Sequence, residues 1–176
     1  TTAFQLYIHG QMPSLVSNLK AEGYSGNKAM HPFNPYNYNR PAVYKDFGFT
    51  DFIDKFDFPK NVKRVREYIS DEANVDRIIS EYEKNRKKTD QPFYMYNMTI
   101  QNHSPYDKDA ANFKQPIKIE SSKYDAEANR YLNLIKYSDD SLKQLTGYFE
   151  KCKEPTIILF LGDHQPRLTD EFMNKI

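Results

Sequence analysis

The chain has 176 residues, with Lys+Arg 25 against Asp+Glu 24 and a formal net charge of +1. That balance excludes the basic surface with which a nucleic-acid-binding domain meets phosphates. The single cysteine, Cys152, excludes an intramolecular disulfide and any cysteine-based zinc cluster.

No apolar run approaches the roughly 20 residues that span a bilayer, and no signal peptide is visible. The chain starts at Thr1 and stops at Ile176 in a polar segment, so both ends read as cut. The expectation is one partial domain, residues 1–176, of a longer protein.

In chain order, Pro13-Ser14 opens Leu15-Val16-Ser17-Asn18-Leu19-Lys20, a short amphipathic helix with Gly23 as its C-terminal stop. Gly26 to Met30 reads as a short strand ending at His31-Pro32. A loop rich in Asn, Pro and Tyr follows, and Asn39 is placed to cap a short helix carrying Arg40 and Tyr44, with Pro41 in its first turn. Phe47 to Phe58, crowded with Phe and Asp, reads as irregular. Ser70 or Asp71 caps the next helix, where Val75, Ile78, Ile79 and Tyr82 make an i, i+3, i+4, i+7 stripe. Its basic tail, Lys84 to Lys88, suits a helix C-terminus.

Pro92 to Ile100 predicts a second buried strand, followed by Gln101-Asn102-His103-Ser104-Pro105-Tyr106. Residues 107–122 lack periodicity and read as a long surface loop, a feature more often functional than ornamental. A long helix starts near Asp125, with Tyr131, Leu134, Ile135, Leu142, Leu145 and Phe149 on one face. Thr156 to Leu161 is an apolar run that predicts a fully buried strand, and Gly162-Asp163-His164 follows it. Helices and strands alternate without a hairpin signal, so the pattern predicts an α/β fold with a mostly parallel central sheet flanked by helices.

Ligands of open α/β sheets bind just beyond the carboxyl ends of the strands. On this reading His31, His103 and His164, with Asp163, all sit where a strand has ended. Any one of them alone would be an ordinary structural histidine, but three in one topological position point to a shared site. Asp163 and His164 are a hard oxygen and a borderline nitrogen ligand, suited to a divalent metal. Arg40 is the natural anion binder, because its planar fork matches phosphate or sulfate oxygens. Tyr38 and Tyr106 are candidates to line the pocket. Asp139-Asp140 fall within a helix and point in different directions, which reads as solvated and not catalytic. His9 has no evident role. No Ser-His-Asp triad and no glycine-rich phosphate loop is legible.

Several blocks carry a family likeness. Leu15 to Tyr24, His31-Pro32-Phe33 with Asn39-Arg40 and Val43-Tyr44, Gly48-Phe49, Asn97 to His103, and Phe160 to Pro166 resemble the lipoteichoic acid synthase-like branch of the sulfatases. They are ordered and spaced as in that branch across nearly the whole chain. The branch belongs to the alkaline phosphatase superfamily, with its mostly parallel α/β core. The resemblance implies that Asp163 and His164 bind a divalent ion, Mn²⁺ first, with Mg²⁺, Zn²⁺ and Ca²⁺ as alternatives. It implies that His103 contacts the substrate phosphate and that His31 and Arg40 hold a glycerol-phosphate moiety. Tyr38 falls where lipoteichoic acid synthases have a Trp, which keeps an aromatic wall but leaves the head group open.

By the same resemblance, a nucleophilic Thr and an acidic metal ligand precede Thr1, so no catalytic nucleophile is assigned within the chain. The expected protein is a metal-dependent phosphoglycerol transferase acting on a lipid head group or an envelope polymer, of which this chain is the C-terminal half of the catalytic domain. It would work at the extracellular face of a bacterial plasma membrane, tethered by upstream transmembrane helices. Sulfate- or phosphate-ester hydrolysis is the alternative chemistry. A non-catalytic module binding anions or envelope polymers is the alternative of another class.

Overall fold

A computed structural model describes residues 6–120 and 125–174. Its elements in chain order are α1 (Leu15–Ala21), β1 (Ser25–Met30), α2 (Arg40–Asp46), β2 (Asp51–Ile53), β3 (Arg64–Val65), β4 (Tyr68–Ile69), α3 (Asp71–Arg86), β5 (Phe93–Asn97), α4 (Ala126–Phe149) and α5 (Asp170–Met173). They fall into two compact units, Thr1–Val62 with Asp76–Ile100 and Lys63–Val75 with Gln101–Ile176.

The first unit holds the expected α/β core, a parallel sheet flanked by helices. Its strands lie in the order β2-β1-β5, and both neighbours of β1 run parallel to it. Ala29 and Met30, wholly buried, pair with Phe52 and Ile53 on one side and with Tyr96 and Asn97 on the other. β1 carries an irregularity between Gly26 and Lys28. Gly26 takes φ +80 there, and a Cβ would come within 2.6 Å of the Phe93 ring, so only glycine fits.

α1 starts in a capping box: the Ser17 amide donates to Ser14 Oγ at 3.0 Å, and the Ser14 amide donates to Ser17 Oγ at 2.9 Å. Asn39 does precede α2, but in the left-handed region and without a side-chain cap, so Pro41 and the turn geometry start that helix. The segment 47–58 is less irregular than its composition suggests, because it contributes β2. Tyr44, Phe49, Phe52 and Tyr96 pack there edge to face or tilted, with ring centroids 4.9 to 6.0 Å apart.

The polar side of α3 is tied to the sheet by charge. Glu81, buried, accepts from Lys28 at 3.0 Å and pairs with Arg77 and Lys84, each at 3.1 Å. Burial alone would raise its carboxyl, but the bonds from Lys28 and Lys84 and the charges of Lys28 and Arg77 hold it below the usual range.

The second unit has its own core of Val65, Tyr106, Phe113, Ala128, Leu134 and Leu168. It opens with a feature absent from the sequence reading: β3 and β4 form an antiparallel hairpin, with Arg66 in its turn at φ 53. α4 begins where expected, capped by Asp125, whose side chain accepts from the Ala128 amide at 2.8 Å. Its buried face differs from the apolar stripe. Ile135 is exposed, while Asn129 and Asn133 are buried. The reason is that these amides bond the adjacent loop as a strand would. Asn133 accepts from the Ile117 amide and donates to the Ile117 carbonyl, both at 2.9 Å, and Asn129 accepts from the Ile119 amide at 3.0 Å. Two asparagines thus anchor the long loop expected at the surface.

The largest correction concerns residues 156–161. The expected buried strand has no ladder partner among the described residues. Its side chains face solvent, with Ile157 97% and Leu159 84% exposed. Strand-like composition states a preference for a pleated, covered environment but cannot supply the neighbouring backbone that makes a strand.

Candidate functional site

The expectation that all the site residues follow strands holds for His31 alone. It extends the central strand β1, its amide donating to the Ile53 carbonyl at 2.9 Å. The ring is buried, 2% exposed, and its Nδ1 lies 3.0 Å from the Met98 carbonyl. A carbonyl can only accept, so Nδ1 carries the proton and Nε2 is the unprotonated nitrogen of the neutral ring.

Arg40 and Tyr38 belong to the same unit. The Arg40 guanidinium lies 4.9 Å from the centre of the Tyr38 ring, donates to the Asn37 carbonyl at 3.1 Å and sits 4.0 Å from Met98 Sδ. Met98 therefore touches both His31, through its carbonyl, and Arg40, through its sulfur. Tyr38 is half exposed and takes φ 60, a conformation that bulky residues adopt rarely. Next to Arg40, the Tyr44 phenol is pushed up to about 12 by burial, with the Tyr96 phenol adding to the shift and the Arg40 charge opposing it. Tyr44 therefore stays protonated, and Arg40 has no acidic partner among the described residues.

The second unit carries His103, Asp163 and His164. Met98 to Asn102 separate His103 from β5, and His164 follows the exposed run, so neither stands at a strand end. The two rings nevertheless approach, with centroids 6.4 Å apart and planes at 87°. Each Nδ1 lies 2.8 Å from a backbone carbonyl, Ser104 for His103 and Gln165 for His164. This repeats the arrangement at His31, and the carbonyl fixes the tautomer so that Nε2 of each neutral ring is the unprotonated nitrogen. Asp163 Oδ1 lies 3.7 Å from His164 Nε2, and both side chains are about two-thirds exposed.

These two donors fit a divalent ion as part of its coordination shell, one hard oxygen and one oriented imidazole. Among the described residues, no group of three or more His, Cys, Asp or Glu side chains gathers as a complete metal site.

Two buried charges next to the His103 loop, Arg66 and Asp71, carry no functional signal in the sequence. Asp71, at the start of α3, accepts from the Ser138 hydroxyl and from Gln101 Nε2 at 3.4 Å, while its amide donates to Gln101 Oε1 at 3.0 Å. Burial pushes its carboxyl up to about 6, against the opposing pull of the Ser138 bond. From sequence, an acidic residue in a first helical turn looks like an ordinary response to the helix dipole, so nothing marked it. The pair Asp139-Asp140 is exposed, as expected of solvated carboxylates.

Residues 7–175 match the Sulfatase family. A protein of Rhizobium meliloti (strain 1021) named for cyclic β-1,2-glucan modification is 35% identical over 168 residues, covering 94% of this chain and 25% of that protein. Lipoteichoic acid synthase of Staphylococcus aureus (strain USA300) is 27% identical over 173 residues, covering 93% of this chain and 25% of the synthase. The crystal structure of the lipoteichoic acid synthase LtaP from Listeria monocytogenes superposes with a TM-score of 0.72 at 25% identity, over 85% of this chain and 36% of that one. The chain spans about a quarter of the length of the curated relatives it matches. Among the described residues, no helix is long and apolar enough to cross a membrane.

Proposed function

Given that this chain belongs to the sulfatase family, we propose that it forms part of a metal-dependent enzyme that transfers a phosphoglycerol group between a lipid head group or envelope polymer and an alcohol. The observation that carries the reading is the arrangement of its histidines. His31, His103 and His164 each anchor Nδ1 on a carbonyl, which fixes the ring, and Arg40 adds a guanidinium with no acidic partner among the described residues. The likeness to lipoteichoic acid synthases supports the choice of chemistry.

On this proposal Arg40 and His31 bind the glycerol-phosphate moiety against Tyr38, with the guanidinium matching phosphate oxygens. His103 donates to a phosphate oxygen through Nε2 when protonated and stabilises the charge that builds there. Asp163 and His164 are two ligands of a divalent ion, Mn²⁺ in the first instance. When bound, such an ion supplies charge neutralisation and activates the nucleophile. The nucleophile is a threonine from the part of the protein preceding Thr1. Its oxygen forms a bond to phosphorus as the ester P–O bond breaks, and the leaving alcohol takes up a proton. An acceptor alcohol then takes the group from the threonine. The setting is the extracellular face of a bacterial plasma membrane, and residues 1–176 serve as one partial domain of the catalytic part.

The test uses the full-length protein with vesicles of a phosphoglycerol lipid and Mn²⁺. Expected are diglyceride release and transfer of the phosphoglycerol group to an alcohol, both abolished by chelation or by His164→Ala and strongly reduced by Arg40→Ala. Turnover indifferent to chelation and to His164→Ala would overturn the reading. Release of free phosphoglycerol without transfer would make the enzyme a hydrolase.

A further inference from the structure

The loop that carries His103 lies outside any sheet, yet each of its carbonyls is bonded. Tyr106 Oη donates to Asn102 O at 2.8 Å, and Tyr68 Oη donates to Ser104 O at 3.3 Å. The other three belong to one side chain. Arg66 donates through Nη2 to Gln101 O at 2.7 Å and to His103 O at 2.8 Å, and through Nη1 to Pro105 O.

Arg66 is an expensive residue to place there. Its side chain is buried, its hydrogen bonds among the described residues go to carbonyls and to no carboxylate, and its Nε has no hydrogen-bond partner. Burying an unpaired cation is unfavourable, and a bulky residue at φ 53 is strained. The surroundings hold it in place. Asn112 Nδ2 donates to the carbonyls of Arg64 and Arg66 at 3.1 and 3.0 Å, fixing the hairpin turn. The rings of Tyr68 and Tyr106 lie 5.3 and 5.7 Å from the guanidinium carbon and offer it their π faces. Strain and buried charge that persist at one point call for a return elsewhere, and among the described residues the hydrogen bonds of the Arg66 guanidinium go to the loop carbonyls. A lysine could not do this, because three carbonyls at once require the rigid fork of a guanidinium.

We propose that Arg66 is a positioning residue for His103: its guanidinium fastens the 101–105 loop so that Nδ1 stays on the Ser104 carbonyl and Nε2, when protonated, is aimed at an anionic phosphate group. The proposal rests on the reading of His103 as a phosphate contact, and the experiment separates the two. The full 176-residue chain is studied by NMR of its histidine side chains, with thermal melting as the check on folding and inorganic phosphate as the probe.

In Arg66→Lys and Arg66→Gln, His103 is expected to lose its single Nδ1–H tautomer and populate both, while the His31 signals stay in place. The phosphate dissociation constant is expected to rise about tenfold, the scale of a misplaced contact. A His103 tautomer and phosphate affinity unchanged in both folded variants would overturn the proposal. His103→Ala decides the underlying reading: unchanged phosphate affinity in that variant removes His103 from the phosphate site, while the tautomer result still judges Arg66. Should neither Arg66 variant fold, the unsubstituted chain gives the answer. Arg66 Nη protons that exchange slowly and show nuclear Overhauser contacts to the loop's Hα protons support the clamp. Rapidly exchanging Nη protons without such contacts exclude it.

Discussion

Of the strand-like runs that precede proposed site residues in this molecule, two are treated by the structure in opposite ways. Ser25–Met30 has a mixed composition, Ser-Gly-Asn-Lys-Ala-Met, yet it is the central strand of the sheet, with Ala29 and Met30 wholly buried and His31 fixed at its end. Thr156 to Leu161 has the better strand composition, Thr-Ile-Ile-Leu-Phe-Leu, and it lies exposed and unpaired before Asp163 and His164. The lesson is that a strand belongs to its neighbours as much as to its residues. β1 has parallel partners on both sides to take its amides and carbonyls, and the later run has none among the described residues. The same contrast extends to the candidate residues: His31 is held at the end of the sheet, whereas the His164 ring rests on the adjacent Gln165 carbonyl.

The contrast can be broken most forcefully at its rigid end. Met30→Ala is expected to destabilise the chain by about 3 kcal/mol, the transfer and cavity cost of a buried Met. Gly26→Val should also be severely destabilising, because its Cβ would meet the Phe93 ring. Urea unfolding measures both, and near-native stability of Met30→Ala would show that β1 is not the central strand.

A second test asks whether the other unit fixes its site residue with buried charge instead of a sheet. The folded-state Asp71 carboxyl, at about 6, lies above its unfolded value near 4, so the protonated form favours folding. This contribution is complete below about pH 4 and is lost as pH rises through about 6. Asp71→Asn should remove on the order of 2 kcal/mol of that pH dependence. The difference between the stability–pH curves of the two proteins isolates the effect, and parallel curves would place Asp71 in contact with water.

His31→Ala is expected to cost about 2 kcal/mol, because it empties a buried place and leaves the Met98 carbonyl without its donor. His164→Ala, two-thirds exposed, should change thermal stability within about 0.5 kcal/mol. Equal losses at the two positions would erase the distinction between a sheet-held and a locally held histidine. The smallest effect is expected at Leu159→Lys, within about 0.5 kcal/mol in this chain, together with higher solubility as an apolar patch is interrupted. A loss of several kcal/mol there would mean that the run is covered in solution.

Where local chemistry decides, the structure follows the sequence. The caps at Ser14 and Asp125, the stop at Gly23 and the helices from Leu15, Arg40, Asp71 and Ala126 depend on groups within a few residues of one another. The candidate site was legible only as a set of residue types, because histidine, arginine and aspartate carry their chemistry wherever they stand.

Which groups meet depends on distant parts of the chain, and there the sequence was silent. It could not show that Asn129 and Asn133 would stand in for a strand and anchor residues 117 and 119. Nor could it show that Arg66, far from His103 in sequence, would gather three carbonyls of the His103 loop. The order of helical and strand-like runs carried the parallel α/β character, and residue types supplied the candidate site residues. Only the tertiary structure decided which run became the central strand, because hydrogen-bond partners and burial are properties of the assembled chain and not of any segment in it.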